Sequence, residues 1–132
     1  ADHPLASRDP LRLRDCLAHP HVLPTPEYGV RHLLELATRR ASNPLRPAVE
    51  SGSFEFMRHY VLEERAIGFQ IPIGLRGREG GELVIREVSP RDVPAGRLFL
   101  GQRRGRALPV ATERFAMMIA AALLEIEEGA TG

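Results

Sequence analysis

His21-Val22-Leu23-Pro24-Thr25-Pro26-Glu27-Tyr28-Gly29 opens the stretch that decides the fold, and it runs on to Ala41. His21-Val22-Leu23 reads as a brief strand, and Pro24-Thr25-Pro26 reads as the turn that ends it. From there Val30, Leu33, Leu34, Ala37 and Ala41 recur at i, i+3, i+4, i+7 and i+11. That is the spacing of one apolar helix face, and it predicts an amphipathic helix over residues 27–41.

The pattern repeats downstream. Asn43-Pro44 breaks the helix, and residues 45–50 read as a second strand, with Pro47 favouring an end or edge position. Ser51-Gly52-Ser53 follows, where a serine can cap a helix over residues 54–64 by accepting a free backbone N–H. Phe54, Met57, Val61 and Glu64 would share a face of that helix. Ile67, Phe69, Ile71 and Ile73 then alternate with Gly68, Gln70, Pro72 and Gly74, a period-two strand whose second face is nearly bare. Something must pack close to that bare face. Upstream, residues 11–17 read as a short helix stopped by Pro20, with Cys16 as a small buried apolar side chain. Downstream come a surface loop at Gly77-Arg78-Glu79-Gly80-Gly81, further short strands at 83–88 and 98–100, and the strongest helix of the chain at 109–128. That helix starts on a favoured first-turn proline and carries Phe115, Met118, Ile119, Ala122, Leu123 and Ile126 on one face.

Strands alternating with helices imply an α/β fold with an open, mostly parallel sheet flanked by helices, the later strands being free to run antiparallel, plus a long C-terminal helix. Ligands of such sheets sit beyond the carboxyl ends of the strands, at connecting loops and helix N-termini. Here those places are Thr25, Pro26, Tyr28 and Gly29 in one loop and Ser51, Gly52 and Ser53 in the other.

With 132 residues, 43% apolar and 27% charged, the chain has the length and composition of one folded domain. Eighteen basic and 17 acidic side chains leave a formal charge of +1, so no broad field draws it onto nucleic acid or an anionic membrane. The single cysteine excludes an internal disulfide and a cysteine-rich zinc site. No stretch approaches the roughly 20 apolar residues of a membrane span and no secretory leader is visible, so a cytoplasmic location is expected. The start at Ala1, without methionine, suggests processing or a cut from a longer chain.

Catalytic and cofactor chemistry finds no support. No glycine pattern has phosphate-loop or dinucleotide spacing, and no Gly-x-Ser-x-Gly elbow occurs. His19 and His21 could share a strand face, but no further ligand stands nearby to complete a metal site. Glu63 and Glu64 beside His59 look like a solvated helix end. Arg103, Arg104 and Arg106 around Gly105 lack the interleaved aromatics of a nucleic-acid surface and read as a solvated turn. We expect no enzyme activity, no cofactor and no metal.

The order of segments resembles the effector-binding region of LysR-type transcriptional regulators. His3-Pro4-Leu5-Ala6 looks like the segment before the family's second subdomain, and Leu11-Arg12-Leu13-Arg14-Asp15-Cys16-Leu17 like the short helix after it. His21-Val22-Leu23-Pro24 running into Tyr28-Gly29 is similar to the next strand, loop and helix. Val61 through Ile67-Gly68-Phe69-Gln70-Ile71-Pro72 resembles the hydrophobic strand that ends in proline. Leu98-Phe99-Leu100, then Leu108-Pro109-Val110-Ala111 and Phe115, resembles the closing strand and C-terminal helix. One departure stands out: the family usually shows two glycines before the strand at Ile67, where this chain has Glu63-Glu64-Arg65-Ala66.

The resemblance implies a subdomain like those of periplasmic binding proteins, with residues 1–108 as the second effector-binding subdomain and 109–128 as the helix that returns to the first. It implies a small, polar or anionic effector at Thr25, Pro26, Tyr28, Gly29, Ser51, Gly52 and Ser53. DNA would be contacted only through an N-terminal helix-turn-helix ahead of this segment. On the C-terminal helix, Met117, Ala120, Ala121 and Leu124 widen the apolar surface beyond one face, which predicts a homo-oligomer. A stand-alone solute-binding module is the alternative, and a small transferase a third, disfavoured by the absent phosphate loop and nucleophile.

Overall fold

The computed structural model describes residues 3–73 and 83–130, and the chain divides into two compact units, Ala1–Gly96 and Arg97–Gly132. The first holds α1 (Leu13–Leu17), β1 (His21–Pro24), α2 (Gly29–Arg40), β2 (Val49–Ser51), α3 (Phe54–Glu63) and β3 (Ile67–Gly68). The second holds α4 (Val110–Ala130).

All three strands pair in parallel, in the order β2-β1-β3, with Val22 opposite Val49 on one side and Gly68 on the other. The chain steps from β1 through α2 to β2, then through α3 back across β1 to β3. Central β1 is buried along its whole length, and Val22 and Leu23 are 0% exposed. Each fully buried aliphatic side chain of this kind stabilises the fold by about 1.5–3 kcal/mol. Leu23 belongs to a cluster with Leu34 and Ala37 of α2, Leu13 and Cys16 of α1, and Leu5, Leu11 and Phe69. Its neighbour Val22, pointing to the opposite face of the strand, approaches Gly68 and hence Val61 of α3.

α1 has no capping side chain of its own. Its first N–H, that of Leu13, donates instead to Asp92 Oδ2 at 2.8 Å, and Arg12 closes a two-point pair on the same carboxylate with both contacts at 2.8 Å. The Arg12 guanidinium first, and the Leu13 N–H second, hold the Asp92 carboxyl down to about 2. Cys16 is 1% exposed, and burial pushes its thiol up to about 11, so it stays a protonated core group.

The end of α3 answers the departure from the family's glycines. Ala66 N–H donates to Val61 O at 3.2 Å and Glu64 N–H to Tyr60 O at 3.0 Å, while Arg65 takes φ 50°. This is the left-handed residue that closes a helix in a Schellman turn, the place where glycine is normally found. Arg65 carries out that turn at a conformational cost of about 1–2 kcal/mol.

Several expected elements are shorter than predicted. The strand expected over 67–73 stops after Gly68. Its partner β1 ends on Pro24, which has no N–H, so no edge remains for Gln70 onward to pair with. The close packing expected on the bare face is found at Gly68, where a Cβ would lie 3.0 Å from Val61 Cγ2, while Gln70 and Pro72 on the same face are exposed. The second strand forms only over Val49–Ser51, after Pro47. The strand expected at 83–88 reduces to an isolated parallel bridge between Leu11 and Val88. Leu11 N–H donates to Glu87 O and Ser89 N–H to Leu11 O, both at 2.7 Å, and side chains add to these, with Glu87 N–H donating to Asp9 and Arg86 donating to Ala6 O. Leu98, Phe99 and Leu100 are 61%, 83% and 60% exposed and form no strand. The loop predicted at Gly77 to Gly81 lies outside the described residues.

Candidate functional site

Both predicted loops leave the carboxyl ends of neighbouring parallel strands, and the sheet register brings them together. Pro24 stands opposite Ser51 in the ladder, and Thr25 N–H donates to Ser51 O at 3.3 Å. Tyr28 N–H turns back onto Thr25 O at 3.1 Å, which folds Pro26 and Glu27 into the exposed bend between them. Tyr28 is the extended residue that precedes α2, and its Oη donates to Gly52 O at 3.0 Å, bridging the loops. A Cβ on Gly52 would meet Thr25 Oγ1 at 3.6 Å, an ordinary contact, and Gly29 has open space around it. Neither glycine is sterically demanded. All seven predicted residues therefore lie at one edge of the sheet.

The serines do the capping expected of them. Ser53 Oγ accepts from Phe56 N–H at 3.2 Å and Ser53 O from Met57 N–H at 3.0 Å, while Ser51 Oγ accepts from Ser53 N–H at 3.1 Å. Both hydroxyls keep their own O–H to donate. The N–H groups of Phe54 and Glu55 on α3, and of Gly29 and Val30 on α2, have no intrahelical acceptor. Thr25 Oγ1 is buried with no hydrogen-bond partner. The edge thus gathers hydroxyl donors, two helix N-termini and an unpartnered threonine oxygen, which together suit a ligand rich in hydrogen-bond acceptors.

Three further groups shape this edge, and the sequence reading passed over them. Phe54, 43% exposed, packs edge-on against the Tyr28 ring at 5.1 Å, giving the bridge an apolar lip. Glu27 stands in the first bend, its carboxyl held below the usual range chiefly by its own backbone N–H. The third is Arg31, 8% exposed under the loops, whose contacts are Pro24 O, Glu35 and Glu50. It precedes Leu34 by three and Thr38 by seven, in phase with the buried face of α2, but nothing local in the sequence marks a charged side chain there as buried.

A separate groove of about 680 Å³ runs along α3 past Met57, Val61 and Val88 and touches none of the seven residues. His21 is buried, with Nδ1 against His19 O at 2.8 Å, and the His19 ring meets His3 edge-on at 4.7 Å. Among the described residues no three His, Cys, Asp or Glu side chains converge as metal ligands, and no helix is long and apolar enough to cross a membrane. Arg103, Arg104 and Arg106 are exposed around Gly105 at φ 76°.

No curated protein and no solved structure matches the chain. A family match spans residues 1–124, and the parallel β-α-β sheet has the α/β architecture that goes with it. The chain belongs to the family described as the LysR substrate binding domain.

Proposed function

We propose that this chain is the ligand-sensing part of a LysR-type transcriptional regulator, taking a small polar or anionic metabolite at the edge formed by residues 25–29 and 51–53. The observation that carries the reading is the convergence there of Thr25, Ser51 and Ser53 hydroxyls with the N-termini of α2 and α3. Such donors stabilise carboxylate or carbonyl oxygens through hydrogen bonds and the helix dipoles. Tyr28 and Phe54 would cover the apolar part of the ligand. Binding would change how an N-terminal helix-turn-helix engages DNA, in a cytoplasmic homo-oligomer, with the helix at 109–128 returning to a first effector-binding subdomain. In this reading the chain is a sensor with no catalytic role, and its balanced charge gives it no specific affinity for duplex DNA by itself.

In the full-length regulator, Thr25→Val and Ser53→Ala should each weaken the effector response while leaving promoter affinity nearly intact in a gel shift. An unchanged response in both variants would reduce these loops to structural caps.

A further inference from the structure

We propose that Arg31 is the positioning residue of this site, its buried guanidinium setting the gap between the two loops. The inference rests on the reading of those loops as the effector site. Pro24, whose carbonyl accepts from Arg31 Nη1 at 3.2 Å, immediately precedes Thr25. Glu50, which accepts from Nη2 at 3.3 Å and also lies 3.3 Å from Nη1, immediately precedes Ser51. One planar group therefore grips the last residue before each loop.

The sheet needs such a grip at this point. β2 has three residues, and its last partner on β1 is Pro24. Beyond that pair the strands are joined by Thr25 N–H to Ser51 O at 3.3 Å and by the exposed Tyr28 to Gly52 bond. Arg31, itself buried, adds links from below. Its own orientation is fixed by Nε donating to Glu35 Oε1 at 3.0 Å, one turn along α2. Arg39, largely exposed, lies 3.9 Å from the other Glu35 oxygen, so two cations face two carboxylates. A lysine could supply the charge but not the fork, since one ammonium cannot reach Pro24 O, Glu35 and Glu50 together.

Amide hydrogen exchange on the chain, compared between the parent, Arg31→Lys and Glu50→Gln, tests this without any effector. Arg31→Lys should raise exchange at Thr25 and Tyr28 by about tenfold relative to Val22 and Leu23 of the same strand. Glu50→Gln, which keeps one acceptor oxygen and folds without leaving a buried cation unpaired by Glu35, should show a smaller rise at the same two amides. Loop amides that move by the same factor as Val22 and Leu23, or not at all, in both variants would overturn the proposal and leave Arg31 a core ion pair. A localised rise combined with a normal effector response in the Thr25→Val regulator would instead uphold Arg31 as the spacer and refute the effector reading.

Discussion

Gly68→Ala places one methyl group where the fold leaves almost no room. The new Cβ would sit 3.0 Å from Val61 Cγ2 and 3.8 Å from Val22 Cγ1. Val61 cannot swing aside easily, because a β-branched side chain on a helix has one strongly preferred rotamer. Relief therefore requires α3 to move off β3, yet α3 is pinned by the Ser53 cap at one end and by the Ala66 to Val61 bond at the other. Overpacking of this kind costs about 1–3 kcal/mol. Removing glycine's freedom from the unfolded chain returns about 0.4–1 kcal/mol. The net expectation is a loss of about 1–2 kcal/mol, with each kcal/mol worth roughly 4–8 °C in a unit of this size. Val61→Ala should by itself cost about 1 kcal/mol in lost burial. It also removes the obstructing methyl, so the double variant should be no less stable than Val61→Ala alone, a coupling of about 1 kcal/mol or more between the sites. Urea unfolding followed by circular dichroism, with unchanged slope, measures all four corners of this cycle. A Gly68→Ala protein as stable as its parent, or strictly additive losses, would refute the close approach of α3 to β3.

Arg65→Gly should raise stability by about 0.5–1 kcal/mol, because the φ of 50° that Arg65 holds is free for glycine; a lower midpoint would show that the arginine side chain contributes more than its backbone costs. Asp92, held down to about 2 from an ordinary 3.8, binds fewer protons folded than unfolded, so its contribution is complete above about pH 4 and lost as pH falls toward 2. Asp92→Asn should flatten that part of the acid-unfolding curve, and a curve of unchanged shape would argue against the Arg12–Asp92 pair. Ser53→Ala should lose about 1 kcal/mol with its cap, whereas Thr25→Val should keep or gain stability by removing an unpartnered buried hydroxyl; equal losses would contradict the distinct roles assigned to them. Finally, α4 exposes Val110, Phe115, Met117, Met118 and Leu124 by 59–70%, so light scattering across a concentration series should show self-association that Leu124→Glu weakens, and a monomer at high micromolar concentration would refute it.

What the sequence made legible follows from the range over which each rule acts. The turn at Pro24, the cap at Ser53 and the helix periods are set within a few residues, and α2 and α3 appear within about two residues of where those signals place them. Strand length is not local. It depends on how much backbone the partner offers, and a four-residue β1 ending in proline cuts short a β3 that its own alternation extends to Ile73. The face of α2 was likewise only half legible. Leu34 and Ala37 are buried as the apolar period implies, but Ala41 is exposed while Arg31 and Thr38 are buried. Counting apolar residues cannot reveal that a charged side chain is the buried one, because its carboxylate partner Glu50 comes 19 residues later. The cap of α1 by Asp92, 79 residues downstream, is hidden for the same reason.

The candidate site divides along this line. That Thr25 and Ser53 end up on one edge follows from two strand-to-helix junctions read locally, combined with parallel pairing. That the two serine oxygens are engaged while the threonine oxygen is buried and unpaired depends on register, on Pro24 facing Ser51. A buried hydroxyl without a partner costs about 1–3 kcal/mol. A sensor can carry that cost in its ligand-free form, because an incoming acceptor then gains a donor whose desolvation is already complete. On the proposed reading of this edge, Thr25 would therefore contribute more to binding than Ser51 or Ser53, each of which is already engaged as an acceptor within the loops.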